Sequence, residues 1–183
     1  MTAAPGNIRL LALDVDGVLT DGSIMLDDRG VETKRFNVRD GQGLTAWIQL
    51  GLEVAIITRR SGRALQHRCR ELGITRIVQG CNNKAQAIRE LSRLTSIDPA
   101  DMAYVGDDWP DLPAMRIVGY PIAVADAAPE LIPVARHVTH RRGGEGAVRE
   151  AIEHLLRGLG LLERAIEAHR HTDTRPYSPQ DEP

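Results

Sequence analysis

Leu11-Ala12-Leu13-Asp14-Val15-Asp16-Gly17 joins an apolar run to two carboxylates two residues apart, followed by glycine. Residues 8–13 are apolar except for Arg9, and their length reads as a buried parallel strand. Open α/β sheets present their sites at the carboxyl ends of such strands, so Asp14 and Asp16 are the first candidate functional residues.

Working outward, residues 53–58 (EVAIIT) and 102–106 repeat the pattern and end in polar groups, Thr58 and then Asp107-Asp108. Residues 76–78, 120–124 and 137–139 read as shorter strands. Amphipathic patterns predict helices between them. One is marked by Leu44, Trp47, Ile48 and Leu52, and one is capped by Ser61 and runs to about Leu72. Another is opened by Asn82 or Asn83 ahead of Lys84, and a fourth covers 109–117. A last, long helix covers 147–168, with a break at Gly158 or Gly160. Residues 23–36 read as a β-hairpin about Asp27-Asp28-Arg29-Gly30, placed as a flap over the aspartates. Residues 37–43 read as a polar, glycine-punctuated loop. Alternating strands and helices imply an α/β fold, a parallel sheet with helices on both faces. One domain is expected over 1–168. Residues 169–183, polar with three prolines, are expected to be a disordered tail.

Composition excludes several classes. Of 183 residues 42% are hydrophobic, enough for a packed core, but only 3% are aromatic, too few for base-stacking platforms. The formal net charge of -2 gives no general attraction to nucleic acid or to anionic membrane. Two cysteines, Cys69 and Cys81, make no disulfide framework and suit a reducing compartment. Without a recognisable signal peptide or membrane-length apolar run, a cytoplasmic location is expected.

In a parallel sheet the strand carboxyl ends share one edge. Asp14, Asp16, Thr58, Asp107 and Asp108 should therefore converge, with Lys84 arriving from a helix start. Acids packed so closely resist ionisation without a cation. Mg²⁺ suits an oxygen-rich site that keeps waters. A cation beside a carboxylate, a hydroxyl and a lysine suits a phosphoryl group, and a carboxylate can be its covalent acceptor. His137 and His140 lack a third ligand for a metal site, while Trp47 and Trp109 read as packing.

DVDGV at 14–18, Thr58, Lys84 and GDDWPD at 106–111 resemble, in order, the four signature motifs of the haloacid dehalogenase superfamily. From residue 8 to 156, LDVDGVLTDG, KRFNVRDGQG, EVAIIT, YVGDD, AVADA and GGEGAVRE are similar to the 3-deoxy-D-manno-octulosonate 8-phosphate phosphatase family. The resemblance implies a Rossmann-like sheet without an inserted cap domain and a homotetramer in which a neighbour helps close each site. It implies a Mg²⁺-dependent sugar-acid phosphatase of lipopolysaccharide biosynthesis. Asp14 would be nucleophile and metal ligand. Asp16 would be general acid and base, touching substrate and ligating metal through its carbonyl. Asp107 would be the third ligand, with Asp108 or Asp111 in support. Thr58 and Lys84 would hold the phosphoryl oxygens. Asn37, Val38, Arg39, Asp40 and Gly41 match the family's sugar-contacting loop, and Arg60 and Arg68 match its arginines for the acidic sugar. Two positions depart from the family: Arg59 stands where Thr-Gly-Arg has glycine, and Thr45 stands where a basic residue is common. The alternatives are a phosphatase of a nine-carbon, sialic-type sugar acid 9-phosphate or of another phosphometabolite, a phosphomutase, and a non-catalytic oligomeric module.

Overall fold

The computed structural model of the chain describes residues 6–170. In chain order the elements are β1 (Leu10–Leu13), β2 (Met25–Leu26), β3 (Glu32–Thr33), α1 (Val38–Gln49), β4 (Glu53–Ile57), α2 (Arg63–Glu71) and β5 (Arg76–Val78). There follow α3 (Lys84–Thr95), β6 (Met102–Gly106), α4 (Leu112–Met115), β7 (Tyr120–Ala123), β8 (His137–Val138), α5 (Ala147–Gly158) and α6 (Leu162–Arg170).

Six strands form one sheet in the order β5-β4-β1-β6-β7-β8, every neighbour parallel. Chain progression reverses between β1 and β6, and a crevice opens outside the carboxyl ends of strands at such a switch point. Asp14 follows β1 and Asp107 follows β6, so both acids flank it. Side chains alternate across the strands. Leu11 and Leu13 pack with Leu44, Trp47, Ile152 and Leu155 on one face, whereas Leu10 and Ala12 pack with Ile88, Leu91 and Met115 on the other. Trp47 is fully buried and satisfies its indole N–H on the Glu53 carbonyl at 3.0 Å. The Rossmann-like expectation therefore holds, with no domain inserted among the described residues.

Several local expectations change. The hairpin is real but short: β2 and β3 pair antiparallel over two residues each, and Asp27 holds the turn by accepting from the Arg29 and Val31 amides. The stretch expected as a loop at 37–43 is mostly helix. Asn37 caps α1 by accepting from the Arg39 amide at 2.8 Å, Asp40 complements the positive helix end, and the bare Gly43 lets Arg149 and Ile152 of α5 approach. Gly62, not Ser61, precedes α2. Residues 109–111 form a 3-10 turn before the short α4, so the expected helix is interrupted. The break expected in the C-terminal helix is present: α5 and α6 are separate, and Gly160 takes the left-handed conformation (φ +68°) between them. Beyond Arg170, the expected tail lies outside the described residues.

Candidate active site

Asp14, Asp16, Thr58, Lys84, Asp107, Asp108 and Arg60 line one cleft of about 430 Å³, together with Arg59, Asn82 and Pro110. Each arrives for a local reason. β1 ends at Leu13, and the Asp14 amide still donates to the Val105 carbonyl at 3.1 Å, which pins the first acid to the sheet edge. Gly17 has φ +86°, and a Cβ there would meet an Asp107 carboxylate oxygen at 2.0 Å. Only glycine lets the loop after Asp16 close against Asp107. The basic loop at 141–146 lies on this same turn, with the Gly144 amide donating to the Val18 carbonyl at 3.0 Å. Thr58 is buried at the end of β4, its amide on the Val78 carbonyl at 2.9 Å and its hydroxyl accepting from the Arg60 amide at 3.3 Å. Asn83 caps α3 and so sets Lys84 at the first helical position.

Lys84 is only 2% exposed. Its ammonium bridges Asp14 Oδ2 at 2.8 Å and Asp111 Oδ1 at 2.6 Å. Burial alone would lower its pKa; the pull of Asp111 and Asp14 outweighs that and raises it. Asp111 has no exposed surface and four donors converge on it. Lys84 and the Tyr104 hydroxyl (2.7 Å) reach Oδ1, while the Asp107 and Asp108 amides (2.9 and 3.3 Å) reach Oδ2.

One carboxylate oxygen of each neighbouring acid is left over. Asp14 Oδ1, Asp16 Oδ2 and Asp107 Oδ1 are buried without a hydrogen-bond partner. Burial first and repulsion from Asp111 second push Asp14 up to about 6, against the opposing pull of Lys84. Burial, Asp111 and Asp14 push Asp107 up to about 8. Such oxygens fit a hard divalent cation, which would satisfy the orphaned lone pairs and relieve the repulsion. Among the described residues, oxygens of Asp14, Asp107 and Asp111 lie within 4.8 Å of one another. Because Asp111 is saturated by donors, Asp14 and Asp107 are the side chains free to ligate, and Asp111 orients them.

The sugar-contacting set is not brought to this cleft. Asn37 spends its amide on the α1 cap and on the Gly144 carbonyl (3.4 Å). Asp40 is 1% exposed, and its Oδ1 accepts from the Arg149 amide at 2.7 Å, which ties α1 to the first turn of α5. Arg68 pairs with Glu71 at 2.8 Å and packs over Gly41, where a Cβ would meet its guanidinium at 2.1 Å. Val38 and Arg39 point outward from α1, Val38 being 77% exposed. The helical start of α1 explains all of this: side chains that a loop could aim at the cleft are spread around a helix. Thr45 bonds within α1 to the Gly41 carbonyl at 3.1 Å, away from the cleft. Trp109 is exposed rather than packed, its indole donating to Glu130 at 2.9 Å. His137 stacks on His154 at 3.9 Å, and His140 pairs with Glu150 at 2.8 Å.

Sequence reasoning missed Tyr104, Glu32 and Lys34. Tyr104 is signalled only by its spacing two residues before Gly106. Glu32 and Lys34 share a face of the hairpin arm by period two, with Lys34 donating to Asp16 Oδ1 and lying 3.5 Å from Glu32. Arg60 pairs with Glu32 at 2.6 Å and lies 3.9 Å from Asp16 Oδ2.

Residues 76–152 match the family model described as haloacid dehalogenase-like hydrolase. The chain is 51% identical over 159 residues to 3-deoxy-D-manno-octulosonate 8-phosphate phosphatase of Salmonella typhi, covering 87% of this chain and 85% of that one. The Yersinia pestis phosphatase of the same name superposes with a TM-score of 0.85 at 46% identity, over 87% of this chain and 86% of that one. The Moraxella catarrhalis phosphatase, solved in complex with magnesium ion, phosphate ion and a KDO molecule, gives 0.86 at 41% identity, over 88% and 93%. By sequence and by fold, this chain belongs to the 3-deoxy-D-manno-octulosonate 8-phosphate phosphatase family of haloacid dehalogenase-like hydrolases.

Proposed function

We propose that this protein is a Mg²⁺-dependent phosphatase that hydrolyses 3-deoxy-D-manno-octulosonate 8-phosphate to the free sugar acid and phosphate. The observation that carries the chemistry is the pair of buried, unpartnered oxygens on Asp14 and Asp107 beside the Lys84 ammonium. The substrate assignment rests on the likeness to relatives bearing that name. Asp14, Asp107 and the Asp16 backbone carbonyl would hold Mg²⁺. When bound, the ion would neutralise charge on the phosphoryl oxygens and on the paired acids.

The chain's own groups do the rest. Lys84 fixes Asp14 through Oδ2, which leaves Oδ1 without a hydrogen-bond partner. The Asp14 carboxylate attacks phosphorus, the bond from phosphorus to the sugar oxygen breaks, and Asp16 gives its proton to that oxygen. Asp16 then takes a proton from water attacking the aspartyl phosphate, and the cleaved acyl-phosphate bond restores Asp14. Thr58 and Lys84 hold the phosphoryl oxygens in place, and positioning supplies much of the rate. Arg60 reads the sugar carboxylate from the cleft wall, beside the bulky Arg59.

The exposed Ile24, Leu26 and Val31 of the hairpin support a homotetramer, in which Val38 and Arg39 of a neighbour complete sugar recognition; sedimentation measures that state. Free Cys69 and Cys81 support a cytoplasmic location, and no described helix is long and apolar enough to cross a membrane. The test is a parallel assay of eight- and nine-carbon 2-keto sugar-acid phosphates with Mg²⁺, alongside Arg59→Gly. Preference for the eight-carbon ester supports the assignment, and preference for the nine-carbon ester transfers it to the sialic-type sugars. No turnover of any phosphate monoester would leave a non-catalytic module.

A further inference from the structure

We propose that Lys34, carried on the hairpin, is the positioning residue for Asp16, and that Glu32 and Arg60 hold it in place. The inference rests on the phosphatase reading and deepens it. Lys34 lies just beyond β3, and its side chain is 5% exposed although it sits on a short, largely solvated hairpin. A buried ammonium needs anionic partners, since an unpaired one is strongly destabilising. Lys34 has two: it donates to Asp16 Oδ1 and lies 3.5 Å from Glu32 Oε1. Glu32 is itself anchored to the cleft wall, accepting from Arg60 at 2.6 and 3.1 Å. Hairpin, Asp16 and the loop after β4 are thus joined by one alternating chain of charges.

This chain distinguishes the two oxygens of Asp16. Oδ1 faces an ammonium and can only accept. Oδ2 is buried without a hydrogen-bond partner, with Arg60 Nε no nearer than 3.9 Å. Oδ2 is therefore the Asp16 oxygen left free to face the leaving group. Without Lys34 the carboxyl can rotate, and the acid is no longer fixed relative to the leaving oxygen. The same contact ties the placement of the acid to the hairpin.

The test exploits leaving groups. Departure of an alkoxide from a sugar phosphate needs a proton, whereas 4-nitrophenolate leaves without one. With Mg²⁺ present, kcat and KM are measured for 3-deoxy-D-manno-octulosonate 8-phosphate and 4-nitrophenyl phosphate in wild type, Lys34→Met, Lys34→Arg and Glu32→Gln. Lys34→Met is expected to lower kcat/KM, which reports phosphoryl transfer to Asp14, about 100-fold for the sugar phosphate and by less than about 3-fold for the aryl ester, while kcat, which includes the Asp16-assisted hydrolysis of the aspartyl phosphate, falls for both. Lys34→Arg restores most of the difference, and Glu32→Gln shows a smaller loss with the same substrate dependence. In the metal-free protein, Lys34→Met raises amide hydrogen exchange across residues 23–36. Equal losses of kcat/KM on both esters, a rise in KM alone, or unchanged exchange overturns the inference. If Lys34→Met does not fold, Lys34→Arg and Glu32→Gln decide by the same ratio. Wild type that hydrolyses neither ester overturns the phosphatase reading itself.

Discussion

Asp111→Asn keeps the shape of the side chain and removes its charge. The wild-type carboxylate is wholly buried and accepts from Lys84, Tyr104 and two backbone amides. An asparagine oxygen can serve one pair of donors, and its NH₂ then meets the other pair donor to donor. Lys84 keeps only Asp14 as a charged partner. Breaking one arm of a buried charge network costs roughly 3–5 kcal/mol, and relief of the repulsion on Asp14 and Asp107 returns part of it. A net loss of about 3 kcal/mol, with a urea slope near 2 kcal/mol per molar, lowers the unfolding midpoint by about 1.5 M. Urea denaturation of the metal-free protein at pH 7 measures this, and calorimetry measures Mg²⁺ affinity, expected to fall no more than about 10–100-fold. An unchanged midpoint with Mg²⁺ binding abolished would make Asp111 a ligand and refute its role as a brace.

Two further outcomes are expected. Metal-free Asp14 and Asp107, at about 6 and about 8, hold protons in the fold that the unfolded chain releases near its ordinary 3.8, and Asp40 at about 6 acts in the same direction. Stability without metal is therefore highest at low pH within the range 5–9 and falls by a few kcal/mol as pH rises through these values. Saturating Mg²⁺ removes the part of the slope due to Asp14 and Asp107, leaves that of Asp40 below about pH 6, and releases protons on binding. Denaturation with chelator and with Mg²⁺ across this range checks it, and a metal-free stability that climbs with pH contradicts it. Asp40→Ala should cost about 1–2 kcal/mol by leaving the first turn of α5 uncapped, with 4-nitrophenyl phosphate kinetics unchanged; a selective loss of catalysis at intact stability would place Asp40 in the site after all.

The parts of the fold legible in the sequence were those fixed by burial on both faces. β1, β4 and β6 read as near-continuous apolar runs because helices cover both sides of the sheet, and their polar ends then located Asp14, Thr58 and Asp107. The start of α1 was not legible, because Gly41 and Gly43 look like loop residues. Their reason for being there, close contact with Arg68 and α5, is tertiary. The resemblance, not the loop reading, assigned Asn37, Asp40 and Gly41 to the sugar; in the fold the first two cap helices and the third packs under Arg68. The resemblance implied Asp108 or Asp111 in support of the ligands, and the fold buries Asp111 under Lys84, Tyr104 and two backbone amides. Lys34 escaped notice because its partner lies 18 residues earlier in the chain, and only the folded hairpin brings them together.

The central claim is that Asp14 carries the phosphoryl group. Acid quenching of the Mg²⁺-loaded protein during turnover of phosphorus-labelled 3-deoxy-D-manno-octulosonate 8-phosphate, followed by peptide mapping, tests it directly. The label is expected to be lost to hydroxylamine, to map to Asp14, and to be absent from Asp14→Asn, which also stops releasing phosphate. Phosphate release with no label on the protein, or undiminished turnover by Asp14→Asn, would contradict it.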